Sequence, residues 1–192
     1  MSAVLHRAMS LDEFLAWEEK QELRWEFDGS APMAMTGGTA EHSIIERNLI
    51  FSLTARLRGR RCQPYTSNLK IIAAGSIRYP DAFVACTPLA RGTLVVRDPV
   101  VVFEVLSPST ATMDIGIKNE EYRDTPSIQR YVMLAQDRRH ATVFARVGDD
   151  WVGHIVSGEA AVLAMPEIGI EVPLIELYEG IAFEPAGVAV ER

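Results

Sequence analysis

Pro99-Val100-Val101-Val102-Phe103-Glu104-Val105-Leu106 is the stretch from which the architecture can be read. An apolar, β-branched run of this length reads as a central strand covered on both faces. Glu104 interrupts it, and a buried carboxylate is costly unless it is paired, protonated or bound to a metal. An acid stands where stability alone prefers Ile or Val, and such a conflict between local rule and residue marks a functional position.

Upstream, Tyr79-Pro80-Asp81-Ala82-Phe83-Val84-Ala85 is a second strand-like run that begins with an acid. Proline is tolerated at the first residue of a strand, which puts Asp81 at the entrance. If the two strands are neighbours, Asp81 and Glu104 approach within metal-sharing distance, and a pair of carboxylates suits Mg²⁺. Downstream, Asp114, Lys118 and Tyr122 fall at i, i+4 and i+8 on one helical face. Alone, Asp114 and Lys118 read as a surface ion pair. Beside Asp81 and Glu104, the same lysine is a candidate for stabilising charge on a phosphoryl group.

Further out, Ser10-Leu11-Asp12-Glu13 has the form of a capping box and predicts a helix through about Glu19. Leu23, Trp25 and Phe27 alternate with charged residues, and Asp28-Gly29 supplies the turn of a hairpin. Thr39 is an N-cap, and the recurrence of Ile45, Leu49, Leu53 and Leu57 predicts a long helix over 40–58. Gly37-Gly38 before it reads as loose backbone at the helix entry, or as an anion-binding turn. Arg56, Arg58, Arg60 and Arg61 at its end suit the helix dipole, as a solvated cationic terminus or as phosphate contacts. Strands are expected at 63–72, 79–86, 95–106, 130–135, 141–146 and 151–156, with Asp149-Asp150 as the last hairpin turn and a helix over 114–123. A short helical stretch near 174–178 follows.

The chain has 192 residues, 48% hydrophobic and 23% charged, which fits one domain over 1–192 with a real core. No apolar run approaches the ~20 residues that span a bilayer. The opening seven residues lack the apolar stretch of a signal peptide, so the expected compartment is the cytoplasm. Cys62 and Cys86 are too few for a disulfide framework and read as reduced, near-core thiols. A net charge of −7 opposes nucleic-acid binding over the whole surface, so any contact needs a local basic patch or divalent cations. His6, His42, His140 and His154 show no spacing of a histidine metal site.

Together, Tyr79-Pro80-Asp81, Phe103-Glu104-Val105-Leu106-Ser107-Pro108-Ser109-Thr110, and Asp114, Lys118 and Tyr122 resemble the Uma-two family. Met9 to Leu15, Trp25-Glu26-Phe27-Asp28-Gly29 and Glu41-His42-Ser43-Ile44 extend the resemblance over about 9–181. It implies an α/β (α+β) restriction-endonuclease-like fold, a mixed central sheet flanked by helices, and a PD-(D/E)xK site. In the general motif the lysine lies two positions after the acid. Here that position is Leu106, and the resemblance implies that Lys118 supplies the amine. By the same analogy Asp81, Glu104 and the Val105 carbonyl hold Mg²⁺ or Mn²⁺, and Glu26, His42, Glu46, Asp114 and Tyr122 are accessory candidates. The implied activity is endonucleolytic cleavage of DNA leaving a 5′-phosphate, by a homodimer. The alternative is a silent nuclease-like module that binds nucleic acid or protein.

Overall fold

A computed structural model describes residues 8–35, 37–107 and 114–183. The readings of Met1–Arg7, Thr36 and Pro108–Thr110 lie outside the described residues. Helix α1 (Leu11–Glu18) starts as its capping box predicts: Ser10 Oγ accepts from the Glu13 amide, and Glu13 accepts from the Ser10 amide at 2.8 Å. The hairpin β1 (Trp25–Phe27) and β2 (Pro32–Ala34) follows. Thr39 then caps α2 (Ala40–Leu57) by accepting from the His42 amide.

From there the chain passes four times between two sheets. The run expected over 63–72 divides into β3 (Gln63–Thr66) and β4 (Lys70–Ala73). Next come β5 (Ser76–Arg78) and β6 (Ala82–Ala85), then β7 (Val95–Val96) and β8 (Pro99–Val105). β3, β6 and β8 join a six-stranded sheet with β9 (Arg130–Leu134), β10 (His140–Val147) and β11 (Asp150–Ser157), in the order β11-β10-β9-β8-β6-β3. β4, β5 and β7 join the hairpin in a five-stranded sheet ordered β2-β1-β5-β4-β7. The expected strands over 63–72 and 95–106 are therefore corrected to two strands each, because within each run the chain leaves one sheet and enters the other.

In the larger sheet β8 runs parallel to β9 and antiparallel to β6, so the sheet is mixed. Parallel neighbours need a crossover connection. It contains a π-wound turn (Asp114–Lys118) and the short helix Asn119–Asp124, where one regular helix over 114–123 was expected. One face of the sheet, through Val101, Phe103 and Val105, packs on Ile45, Leu49, Leu53 and Leu57 of α2. On the opposite face, Val102, Tyr131 and Met133 meet Tyr122 and the smaller sheet through Ile71 and Ala73. α1 covers that smaller sheet through Phe14, Phe27 and Ile77.

Three further corrections concern the periphery. Gly148-Asp149 makes the β10–β11 turn and Asp150 already pairs with Val147, because Gly148 takes the positive φ the turn requires. A hairpin of β12 (Val162–Met165) and β13 (Ile170–Pro173) precedes the helix Leu174–Leu177. Finally, Cys62 and Cys86 are not reduced thiols but a disulfide. They extend the β3–β6 ladder one step past Gln63↔Ala85, so antiparallel register makes neighbours of residues 24 apart. Among the described residues no helix is long and apolar enough to cross a membrane.

Candidate active site

β6 and β8 pair with Ala82 opposite Phe103. One residue outward, that register sets Asp81 beside Glu104. Side chains alternate along a strand, so Glu104 shares a face with Val102, and Asp81 shares it with Phe83. Both acids therefore point to the face where the smaller sheet and the Asp114–Lys118 turn close over the strand ends. A cleft of about 280 Å³ opens there, with Glu26, His42, Asp81, Glu104, Asp114 and Lys118 in its walls.

Lys118 lies at the centre. Its ammonium is 2.9 Å from Glu104 Oε1, 3.1 Å from Asp114 Oδ1 and 3.5 Å from Glu26 Oε1. Only 7% of its side chain is exposed. Burial, the largest influence, favours the neutral amine, but Glu104, Glu26 and Asp114 outweigh it and raise the Lys118 pKa. Burial drives Glu104 the other way, well above the usual carboxylate range, against the attraction of Lys118. Tyr122 donates a second hydrogen bond to Glu104 Oε1, at 2.9 Å, and stacks edge-on against Tyr131. The Tyr131 hydroxyl in turn donates to the Asp114 carbonyl and ties the π-wound turn to β9. Asp114 Oδ1 touches Lys118 only as a charge; it is buried and, among the described residues, has no hydrogen bond.

Asp81 accepts from the Val105 amide at 2.7 Å and lies 3.2 Å from His42 Nε2. The hydrogen bond to Asp81 raises the His42 pKa, against burial. The imidazole fits because Gly38 has no side chain: a Cβ there would lie 2.9 Å from His42 Cγ. That close approach, rather than loose backbone, accounts for this glycine. Glu46, one turn along α2, is half-buried, bonded to Ser67, and raised in pKa by burial and by Asp81. Six of the eight acidic, basic and aromatic candidates thus line one cleft, while Tyr122 reaches it through Glu104 and Glu46 lies behind it, bonded to Ser67.

The structure does not bring the arginines there. α2 rises about 1.5 Å per residue, so its C-terminal end lies roughly 20 Å from His42. Arg56 pairs with Glu176, Arg60 donates to the Gly169 carbonyl and Arg61 to the Cys86 carbonyl, while Arg58 is exposed.

Sequence reading missed Arg78 and Glu121. Arg78 is fully buried, holds both Glu121 oxygens at 2.7 Å and reaches Glu26 at 3.2 Å. Glu26 also accepts the Tyr79 amide. The available signal was Glu121 following Lys118 at i+3, on the same helical side. Counting this pair, five carboxylates (Glu26, Asp81, Glu104, Asp114, Glu121) face Lys118, Arg78 and His42. Even with His42 protonated, the site holds excess negative charge.

The family model described as "Putative restriction endonuclease", Uma2, matches residues 11–174. The chain belongs to the Uma2 family. Among its relatives, the uncharacterized protein slr1290 of Synechocystis sp. is 33% identical over 180 residues, covering 91% of this chain and 94% of that protein. The uncharacterized protein sll1609 of the same organism is 27% identical over 161 residues, covering 81% and 91%. A crystal structure from Anabaena variabilis, described as "a putative nuclease belonging to DUF820", superimposes with a TM-score of 0.73 at 16% identity. It covers 88% of this chain and 97% of that one. The likeness extends the Uma2 assignment to the fold: mixed sheets flanked by helices, as in restriction-endonuclease-like proteins.

The hard oxygen donors of this Uma2 site have the right chemistry for a small divalent cation, and the orphaned Asp114 oxygen and the net negative charge point the same way. Among the described residues no three His, Cys, Asp or Glu side chains converge as a ready metal cage. Mg²⁺ does not need one, since it is commonly held by one or two carboxylates with water and substrate oxygens completing its shell.

Proposed function

We propose that this Uma2 chain is a metal-dependent endonuclease hydrolysing phosphodiester bonds in DNA, with Asp81, Glu104 and Lys118 as its catalytic residues. The observation that carries this reading is the pairing of Asp81 and Glu104 on one face of adjacent strands, with the Lys118 ammonium 2.9 Å from Glu104. Asp81 and Glu104, with the Val105 carbonyl, would hold Mg²⁺ or Mn²⁺, which would supply an acidified water and a polarised phosphate oxygen.

The chain's own residues do the rest. The Val105 amide fixes one Asp81 oxygen and so sets the direction of the other. Tyr122 and Lys118 both bond Glu104 Oε1, which orients that carboxylate. Lys118 stays cationic among its acids and supplies positive charge where the attacked phosphate gains negative charge. Water's oxygen bonds to phosphorus as the P–O3′ bond breaks, leaving a 5′-phosphate and a 3′-hydroxyl.

Supercoiled plasmid incubated with the protein and Mg²⁺ or Mn²⁺ should be nicked or linearised, and EDTA or Asp81→Asn should abolish this. No cleavage of duplex or single-stranded DNA with either metal would overturn the reading. A second reading, a silent module that binds nucleic acid or protein, is favoured by one observation: Lys118 is already engaged by three carboxylates. DNA retention that survives Asp81→Asn without cleavage would support it.

A further inference from the structure

β11 forms one edge of the six-stranded sheet. It pairs with β10 from His140↔Ser157 to Val147↔Asp150 without a bulge. Among the described residues its outward row of amides and carbonyls has no strand partner. Exposed edges are normally blunted by lysine, proline, bulges or inward-pointing charge, because an unguarded edge is a template for another strand. Residues 151–157, Trp-Val-Gly-His-Ile-Val-Ser, contain none of these devices. Val152 and Ile155 are instead 50% and 65% exposed, one on each face. At the middle, Gly153 is covered by the Phe144 ring, which a Cβ would meet at 3.1 Å. The neighbouring strand therefore fills the space beside this glycine, and the centre of the edge is free of protruding side chains.

We propose that β11 is a dimerisation edge, to which a second copy of this chain adds its own β11, antiparallel, across a two-fold axis at Gly153. Side chains directly opposed in an antiparallel pair lie on the same face. A two-fold axis normal to the sheet preserves faces, so each residue must oppose one of its own parity. An axis at Gly153 satisfies that rule. It sets Trp151 against the partner's Ile155, and Val152 against the partner's His154, which are pairings of aromatic and aliphatic rows that stabilise sheets.

Charge selects the same arrangement. The Asp149-Asp150 end of the hairpin is acidic. The other end, beside Ser157, carries Arg138 and Arg139 balanced by Asp137 and Glu159. Antiparallel pairing brings each acidic end to a balanced one, whereas parallel pairing would superpose two acidic turns. Copies with a net charge of −7 repel, and the edge over 151–157 has no formally charged residue at neutral pH. It is a face where that repulsion is locally weak.

The test is light scattering on the full chain over a range of concentrations, for the wild type, Ile155→Lys and Val152→Lys/Ile155→Lys. Both positions are exposed, and a far-ultraviolet circular dichroism spectrum like that of the wild type, with a cooperative melt, would verify that the variants fold. The wild type should show twice the 21.3 kDa chain mass. Ile155→Lys should raise the dimer dissociation constant at least about tenfold, equivalent to ~1.4 kcal/mol, and the double variant should be monomeric. Hydrogen exchange should show the β11 edge amides becoming protected as the dimer forms. A monomeric wild type overturns the proposal, as does a dimer that persists in the double variant. A monomer with protected edge amides would mean that a segment of the same chain covers β11, and that also overturns it.

Discussion

Lys118→Met removes the ammonium while keeping an unbranched side chain of similar length. In the native site that nitrogen lies 2.9, 3.1 and 3.5 Å from Glu104, Asp114 and Glu26. Removing one partner of a buried ion pair costs about 3–5 kcal/mol, because the remaining charge is left without compensation. For a chain of this size each kcal/mol lowers the melting midpoint by about 2–4 °C, so the midpoint should fall by roughly 6–20 °C. The deficit should also depend on pH. Burial already holds the Glu104 carboxyl above its ordinary value, with Lys118 opposing the shift. Without Lys118 the value rises further, and the native state keeps a proton that the unfolded chain has released. Stability then falls as pH rises from the ordinary glutamate range toward the raised value, by up to about 1.4 kcal/mol per pH unit. Urea unfolding followed by circular dichroism should therefore show a smaller deficit near pH 5 than near pH 8. A deficit below about 1 kcal/mol, or one that is larger at pH 5, would refute the role of Lys118 as the counter-ion of this cluster.

Two further expectations follow from local geometry. Gly38→Ala places a methyl against the His42 ring and should separate it from Asp81. The imidazole titration followed by NMR should then move down toward 6.5 from its raised native value. The stabilisation that His42 gives below its ordinary pKa, lost as pH rises through the raised one, should shrink; an unchanged titration would contradict this. Replacing Cys62 and Cys86 by serine should cost about 3 kcal/mol if loop-closure entropy dominates, given a closed loop of 24 residues. A melting midpoint equal to that of the oxidised wild type would contradict the cross-link.

The parts of the fold legible in the sequence were those fixed by local chemistry. The capping box set the start of α1, and the apolar recurrence from Ile45 to Leu57 set α2. Glu104 announced itself because a carboxylate is conspicuous inside a β-branched run. What stayed hidden depends on contacts between distant segments. Which sheet a strand enters is set by its pairing partners and not by its own residues, so the runs over 63–72 and 95–106 read as single strands. Nothing in the sequence singles out Arg78, and only the helix carrying Glu121 reveals it as a buried cation. The disulfide needs the β3–β6 register, which two isolated cysteines do not encode. Lys118, which the family resemblance implies as the site's amine, lies between these cases. Leu106 packs against the second apolar cluster, while Lys118 reaches Glu104 from the π-wound turn of the crossover.

The short passages between sheets bear on how the molecule comes apart. β3–β4, β5–β6 and β7–β8 each run from one sheet into the other within a few residues. Neither sheet can peel away without dragging these three straps and the longer β6–β7 connection with it, so the two are expected to unfold as one cooperative unit. The acidic cleft sits on that seam: Glu26 comes from one side, Asp81 and Glu104 from the other, with Lys118 between them. Partial opening in which only one layer loosens would leave no half-built version of it. The integrity of the cleft and the integrity of the whole fold are, in this topology, one quantity.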